Sequence, residues 1–444
     1  MRNSNSDRRE IWAWAFYDFA NSAYATALAG VIFNVYFVQV IVGPEGVPFL
    51  GGRVSATALW GYSVSASMLL VAMSAPILGA IADYTASKKR FLFVFCYAGV
   101  LATCFLFLAG PGDIWWAVSF YILSNMGMEW SLTFYNGFLP EIASREKMGR
   151  ISGFGWALGY VGGVLCLLLN LAMIQRPDWF GLPDTDYIPI RASLLVVALW
   201  WGIFSIPTFV WLRERAQAKQ RPPGTSYLKI GFQRLALTLR KVRQFRELVK
   251  FLVAFLIYND GVQTVIVMAA VFGAEVLHMP QEELILCFIL IHVIAFFGAL
   301  VFGYLADRMM TKRAINISLL LWSGALVYAL VIDQSWQFWI LAVVIGFVLG
   351  GIQACSRALL AQFTPRENSA EFFGFFSTGG KFAAIFGPAL FGLITDVTGS
   401  ARFGLLSALF FLLLGWSLLY FVDEEKGIRE SQQAVGEEAD QLIS

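Results

Sequence analysis

The chain has 444 residues, 58% hydrophobic and only 14% charged, and a mean hydropathy of +0.67; soluble domains carry about 25% charged residues. That balance, with 40 Phe and 15 Trp, excludes a soluble enzyme, a disordered chain and a nucleic-acid binder, and indicates a polytopic membrane protein. The net charge of +2 identifies no partner, but the placement of the charges along the chain is informative.

A membrane-spanning helix needs about 20 apolar residues. Twelve such runs follow in order: 12–42, 55–82, 91–110, 114–138, 151–174, 192–212, 248–273, 284–306, 314–332, 336–362, 372–395 and 403–422. The first follows Arg8 and Arg9, but it is too long for a signal peptide and is interrupted by Asp18 and Asn21, so it reads as a retained span. Cys96, Cys104, Cys166, Cys287 and Cys355 all fall inside apolar runs with no CxxC pair, which supports neither a zinc site nor a disulfide framework.

With the N-terminus inside, the inner segments hold 25 Lys and Arg and the outer loops four, Arg53, Arg176, Arg191 and Arg402. This bias places both termini in the cytoplasm. Four regions result: a six-helix bundle over 1–212, a basic cytoplasmic linker over 213–246, a second six-helix bundle over 247–422, and an acidic tail over 423–444 expected to be solvated and flexible. The linker carries ten basic residues and one acid, Glu214, as suits a topology anchor beside anionic lipid.

The chain repeats itself. GAIADYTASKKR at 79–90 matches GYLADRMMTKRA at 303–314, pairing Asp83 with Asp307 and Lys88 with Lys312. Arg145-Glu146 followed by Gly153-Phe154 matches Arg366-Glu367 followed by Gly374-Phe375 at one constant offset. The pattern is six helices plus six, in the same orientation.

The repeated G-x-x-x-D-x-x-x-x-K/R loop resembles the signature of the major facilitator superfamily. More narrowly, YDFANSAYAT at 17–26, FGWALGYVGG at 154–163 and the run from Gly350 to Pro388 resemble the autophagy-related vacuolar effluxer group, which is similar to bacterial transporters of unassigned substrate. The resemblance implies an all-α polytopic membrane protein of the major facilitator fold. It also implies a bacterial inner membrane, or a vacuolar-type membrane in a eukaryote, and favours amino acids as cargo. For the repeated loop it implies gating: Gly79 and Gly303 allow close helix approach, and Asp83 and Asp307 cap a neighbouring helix beside the bases Lys88, Arg90, Lys312 and Arg313.

An ionisable side chain in the bilayer core is costly unless paired or wet, and so marks a functional position. Asp18, Glu129, Asp260, Arg357 and Lys381 lie about 12 to 20 Å along their helices from the nearest charge at the cytoplasmic end, near mid-membrane. They fall on spans 1, 4, 7, 10 and 11, whereas spans 3, 6, 9 and 12 carry no charge in their cores. Arg357 or Lys381 suits a substrate anion. Asp18, Glu129 or Asp260 suits an amine or a coupling proton, and Asn21 and Gln353 complete a polar cavity. The same charges also suit ion pairs between the halves that lock one conformation.

GFFSTGGKF at 374–382 lacks the Gly-Lys and Ser/Thr of a phosphate loop, so no ATP is expected; no cofactor and no metal motif is legible. The expected partners are a small solute, the bilayer and protons. The expected function is secondary transport by alternating access, with amino acids exported; a ligand-binding membrane sensor is the alternative.

Overall fold

The computed structural model describes residues 4–49, 52–218, 226–240 and 242–443. Within these, the side chains of 4–7, 49, 52, 238–240, 242–243, 281, 378, 381–385 and 434–443 lie outside the described set.

Helix α1 (Ser4–Ala23) runs on through a π-helical stretch (Tyr24–Ile32), α2 (Phe33–Tyr36) and a second π stretch (Phe37–Val42). A two-stranded hairpin, β1 (Val47–Phe49) with β2 (Gly52–Val54), pairs Val47 with Val54. There follow α3 (Ala56–Thr85), α4 (Lys88–Leu106), α5 (Ile114–Gly137), α6 (Leu139–Ile142), α7 (Met148–Gln175), α8 (Ile188–Phe204) and α9 (Ile206–Trp211). After the linker helix α10 (Tyr227–Arg240) come α11 (Arg246–Glu275), α12 (Gln281–Met309), α13 (Thr311–Ala329), α14 (Ser335–Phe363), α15 (Ser369–Thr398), α16 (Ala401–Tyr420) and α17 (Glu424–Ile443). Local chemistry sets many of these ends. Pro140, Pro189 and Pro207 sit at helix starts, where no intrahelical N–H bond is lost. Gly399 closes α15 at a φ of 70° that favours glycine.

A helix stands at each of the twelve predicted runs. Among the described residues, nine helices are long and apolar enough to cross a membrane. The predicted spans 114–138, 314–332 and 372–395 are not among them. Ser124, Asn125 and Glu129 dilute α5, Lys312, Arg313 and Asn316 open α13, and in α15 only Phe386–Thr398 forms a continuous apolar stretch of described side chains.

The chain divides into two compact units that do not follow the predicted 1–212 and 247–422 boundaries. The first holds 1–75, 87–135 and 158–214; the second holds 76–86, 136–157 and 215–444. In the first, α4 packs against α8, and α1 against α8 and α9. Trp14, Tyr17 and Trp201 are fully buried there, Trp14 stacking on Tyr135 with ring centroids 4.6 Å apart. Gly159, Gly162 and Gly163 bring α7 against Ser22, Phe19 and Thr26 of the first helix, so this glycine stripe serves helix packing. In the second unit, α11 and α14 form the centre, α14 packing on α12 and α13 and α11 on α15 and α16. The end of α3 and the α5–α7 turn join this unit, although they precede the linker in sequence.

Two segments differ from their sequence reading. The linker expected as a loop contains α10, whose Gly231 sits against Ile77 and Ile81 and whose Arg234 lies 5.1 Å from the Tyr84 ring centre. The acidic tail is helical as α17 (Glu424–Ile443). Glu424, Gly427 and Ser431 are its buried positions, a helical stripe made of residues that carry no hydrophobic signal.

Candidate functional site

The two signature aspartates make equivalent contacts, both within the second unit. Asp83 accepts the backbone N–H of Ala370 (3.2 Å) and Glu371 (2.9 Å), the first turn of α15. Asp307 accepts those of Gly149 (2.8 Å) and Arg150 (3.2 Å), the first turn of α7. A carboxylate on free N–H groups at a helix start satisfies orphan donors and complements the helix dipole. Asp307 also takes the Arg150 guanidinium at 3.0 Å. The glycines permit this proximity. A Cβ on Gly79 would strike the Ala370 carbonyl, and one on Gly303 would come 2.7 Å from the Gly149 oxygen.

The segments of the bases that follow each aspartate are held by further acids. In the first unit, Glu214 accepts the N–H of Lys88 (2.8 Å) and Lys89 (3.0 Å), and Lys89 Nζ donates to the Leu212 carbonyl. In the second, Glu424 accepts the N–H of Thr311 (2.9 Å) and Lys312 (2.8 Å), and Lys312 Nζ donates to the Val422 and Tyr420 carbonyls. Each arrangement has one further acid: Glu10 accepts from Arg213 N–H and Glu247 from Asp423 N–H. Burial pushes the Glu424 carboxyl up from its ordinary value, against the two N–H bonds that pull it down. By contacts Lys312 is matched by Lys89. Arg90 and Arg313 are exposed and form no ion pair among the described residues. The base at Asp307 is Arg150, from α7, not Lys312 or Arg313.

Arg357, expected near a substrate anion, is buried against the α5–α7 segment. Its Nε and Nη2 donate to the Ser152 hydroxyl (3.0 Å) and carbonyl (2.6 Å), Nη1 donates to Asn136 Oδ1 (3.3 Å), and its guanidinium lies 5.2 Å from the Trp156 ring centre. In this conformation it joins α14 to α5 and α7.

The other deep residues divide by unit. In the first, Asp18, Asn21 and Glu129 are buried, at 5%, 3% and 6% exposure. The Asn21 amide nitrogen has no hydrogen-bond partner among the described residues. Glu129 is on α5, six residues before Tyr135, which stacks on Trp14 and touches Tyr17. In the second, Asp260 accepts the Gly387 N–H at 2.9 Å, tying α11 to α15 one residue before the helix-interior Pro388. Asn259 donates to the Gly380 carbonyl, and Tyr258 shares a 2.7 Å hydrogen bond with Ser356. Gln353 is half-buried on α14. Lys381 lies on α15, with its side chain outside the described residues. The structure therefore brings Asp260 to α15 and places Arg357 elsewhere in the same unit. His292 Nδ1 shares a 2.9 Å hydrogen bond with Phe288 O, one turn back on its own helix. Among the described residues no group of three or more His, Cys, Asp or Glu is arranged for a metal.

Sequence reasoning missed Ser152, Arg150 and the four acids that accept backbone N–H groups, Glu10, Glu214, Glu247 and Glu424. A signal for two of them existed: Glu214 and Glu424 each stand just beyond the last span of a half, two residues after Leu212 and Val422.

The family model described as vacuole effluxer Atg22 like matches residues 6–432. The chain belongs to that family. Within it, the chain is 32% identical over 423 residues to the uncharacterized MFS-type transporter YxiO of Bacillus subtilis, covering 95% of this chain and 96% of that one. It is 26% identical to autophagy-related protein 22-1 of Penicillium rubens, over 91% of this chain and 82% of that one. Solved structures share the fold at low identity. The human organic anion transporter MFSD10 superposes with a TM-score of 0.71 at 13% identity, over 93% of this chain and 99% of that one. The proton:xylose symporter XylE gives 0.68 at 14%, over 98% and 99%. This Atg22-like chain is thus a multi-pass membrane transporter of the major facilitator type and not an enzyme.

Proposed function

We propose that this Atg22-like protein exports amino acids by proton-coupled alternating access, with twelve spans and both termini in the cytoplasm. The paired Asp83 and Asp307 caps carry the reading. Each fastens the end of one helix to the start of another through charge-assisted bonds that can break and re-form, which a gate requires. Orientation follows from the basic inner segments. The Arg357 contacts with Ser152 and Asn136 belong to the same latch. Asp260, deep on α11 and tied to α15 by one N–H, is the group proposed to take up the proton. Neutralising it weakens that tie, and the carboxyl can exchange its proton as the site opens. Asp18, Asn21, Glu129, Gln353 and Lys381 are proposed to complete the substrate surface. The amino-acid cargo is supported by family resemblance alone.

The experiment is efflux of labelled amino acids from liposomes containing the protein, with and without a pH gradient. The expected result is protein-dependent release that the gradient accelerates and that falls at least tenfold in Asp260→Asn. Release at wild-type rate in that variant overturns the proton role. Saturable binding without any flux favours the sensor reading instead.

A further inference from the structure

The turn between α6 and α7 and the turn between α14 and α15 are copies of each other, Arg145-Glu146 repeating as Arg366-Glu367. Together with α17 they line an open cleft of about 290 Å³. Arg145 and Arg366 line it, with Thr364, Glu367, Ser431 and Gln432. Arg145 donates to the Ile428 carbonyl and the Ser431 hydroxyl, both at 3.3 Å, long contacts to uncharged acceptors. Among the described residues neither arginine nor Glu367 forms an ion pair, and Glu367 Oε2 is buried without a hydrogen-bond partner. Other basic groups of the same unit reach partners: Arg150 meets Asp307 at 3.0 Å and Lys250 meets Glu247 at 2.8 Å.

Two guanidinium groups facing one cleft repel each other, and a buried carboxylate oxygen without a donor is unfavourable. One kind of ligand relieves both. A carboxylate matches the planar fork of arginine, and a neighbouring N–H or O–H answers Glu367. At about 30 Å³ per water, the space holds roughly ten waters, enough for a small metabolite. We infer that this cleft is a second ligand site, separate from the deep carboxylates, for a small organic acid bearing an adjacent amino or hydroxyl group. Its walls come from both repeated turns and from α17, so an occupant fastens the three together and slows their separation during transport. Binding needs only the cleft; the effect on turnover rests on the transporter reading.

Thermal unfolding of the purified full-length protein tests the site, with glutamate, alanine, lactate, acetate and inorganic phosphate as probes. The donor-bearing acids should raise Tm saturably, on the order of 2 °C at a hundredfold excess over Kd, and acetate should do so less. Arg366→Ala, at an exposed position, should abolish the rise, and Asp260→Asn should retain it. Glu367→Gln should shrink the advantage of lactate over acetate. No saturable rise with any probe overturns the site, as does a rise that survives Arg366→Ala and disappears in Asp260→Asn. Phosphate outdoing the donor-bearing acids overturns the ligand class. In liposomes, the best binder added on the α17 side should slow wild-type flux and leave Arg366→Ala flux unslowed; equal slowing of both removes the regulatory role.

Discussion

The two copies of the signature loop hold their helices by the same bond type but in different electrostatic settings. Asp307 sits on the N-terminus of α7 with Arg150 beside it, half exposed at 50%. Asp83 sits on the N-terminus of α15, where the residue at the repeat position of Arg150 is Glu371, buried at 0%. One copy sets a half-exposed guanidinium beside its aspartate, and in the other the corresponding residue is a buried glutamate whose backbone N–H the aspartate accepts. A duplicated contact therefore need not be two equal contacts. The Asp307 latch includes a half-exposed ion pair that salt can screen, and the Asp83 latch includes two buried backbone N–H bonds.

The largest expected effect comes from removing the proximity that both copies share. Gly79→Val and Gly149→Val drive side-chain atoms into the Ala370 and Gly303 carbonyls respectively. Each should cost at least about 2 kcal/mol in the latched state, a more than tenfold shift toward the unlatched form. Cysteine-labelling rates at the C-terminal end of α3 and the N-terminal end of α7 would measure it, and unchanged rates would deny that these contacts gate anything. Next in size, Asp83→Asn and Asp307→Asn replace a charged acceptor by a neutral one, at about 1.5–3 kcal/mol each. Equal sensitivity of the two variants to salt would erase the distinction between the copies. Smaller still, Arg150→Ala should cost about 0.2–1 kcal/mol and remove the salt dependence of the Asp307 latch alone.

The smallest effect separates the two helix-start caps, Glu214 and Glu424. Burial raises the Glu424 carboxyl above its ordinary 4.5. Its contribution to stability is then full below 4.5 and lost as pH rises through the folded-state value. Tm measured against pH should show wild type losing ground to Glu424→Gln as pH climbs from about 4.5, and parallel curves would mean that Glu424 is not strained by burial.

The fold was readable because membrane helices are written in long apolar runs, and because the Gly-to-Asp spacing of the signature loop recurs at 79–83 and 303–307. The aspartates' partners were less legible. Ala370, Glu371 and Gly149 contribute backbone N–H groups, which no side-chain pattern reports. Arg357 shows why depth along a helix is an incomplete guide. Its position on span 10 was legible, but its partners Ser152 and Asn136 are short polar residues more than 200 positions away. The α17 helix escaped notice for a related reason: its buried stripe is Glu424, Gly427 and Ser431, held by hydrogen bonds and a close approach to Phe363 rather than by apolar area.

The second compact unit takes in residues 76–86 and 136–157 from before the linker as well as everything from Arg215 on. Covalent continuity through the linker is therefore not what binds the earlier part of the chain to the later part. A protein made as two polypeptides, one ending at 218 and the other starting at 226, would still have Asp83, Gly149, Ser152 and Arg145 of the first fragment held by Ala370, Asp307, Arg357 and Ser431 of the second. The transporter is in this sense already a heterodimer by complementation, whose two partners happen to be translated as one chain.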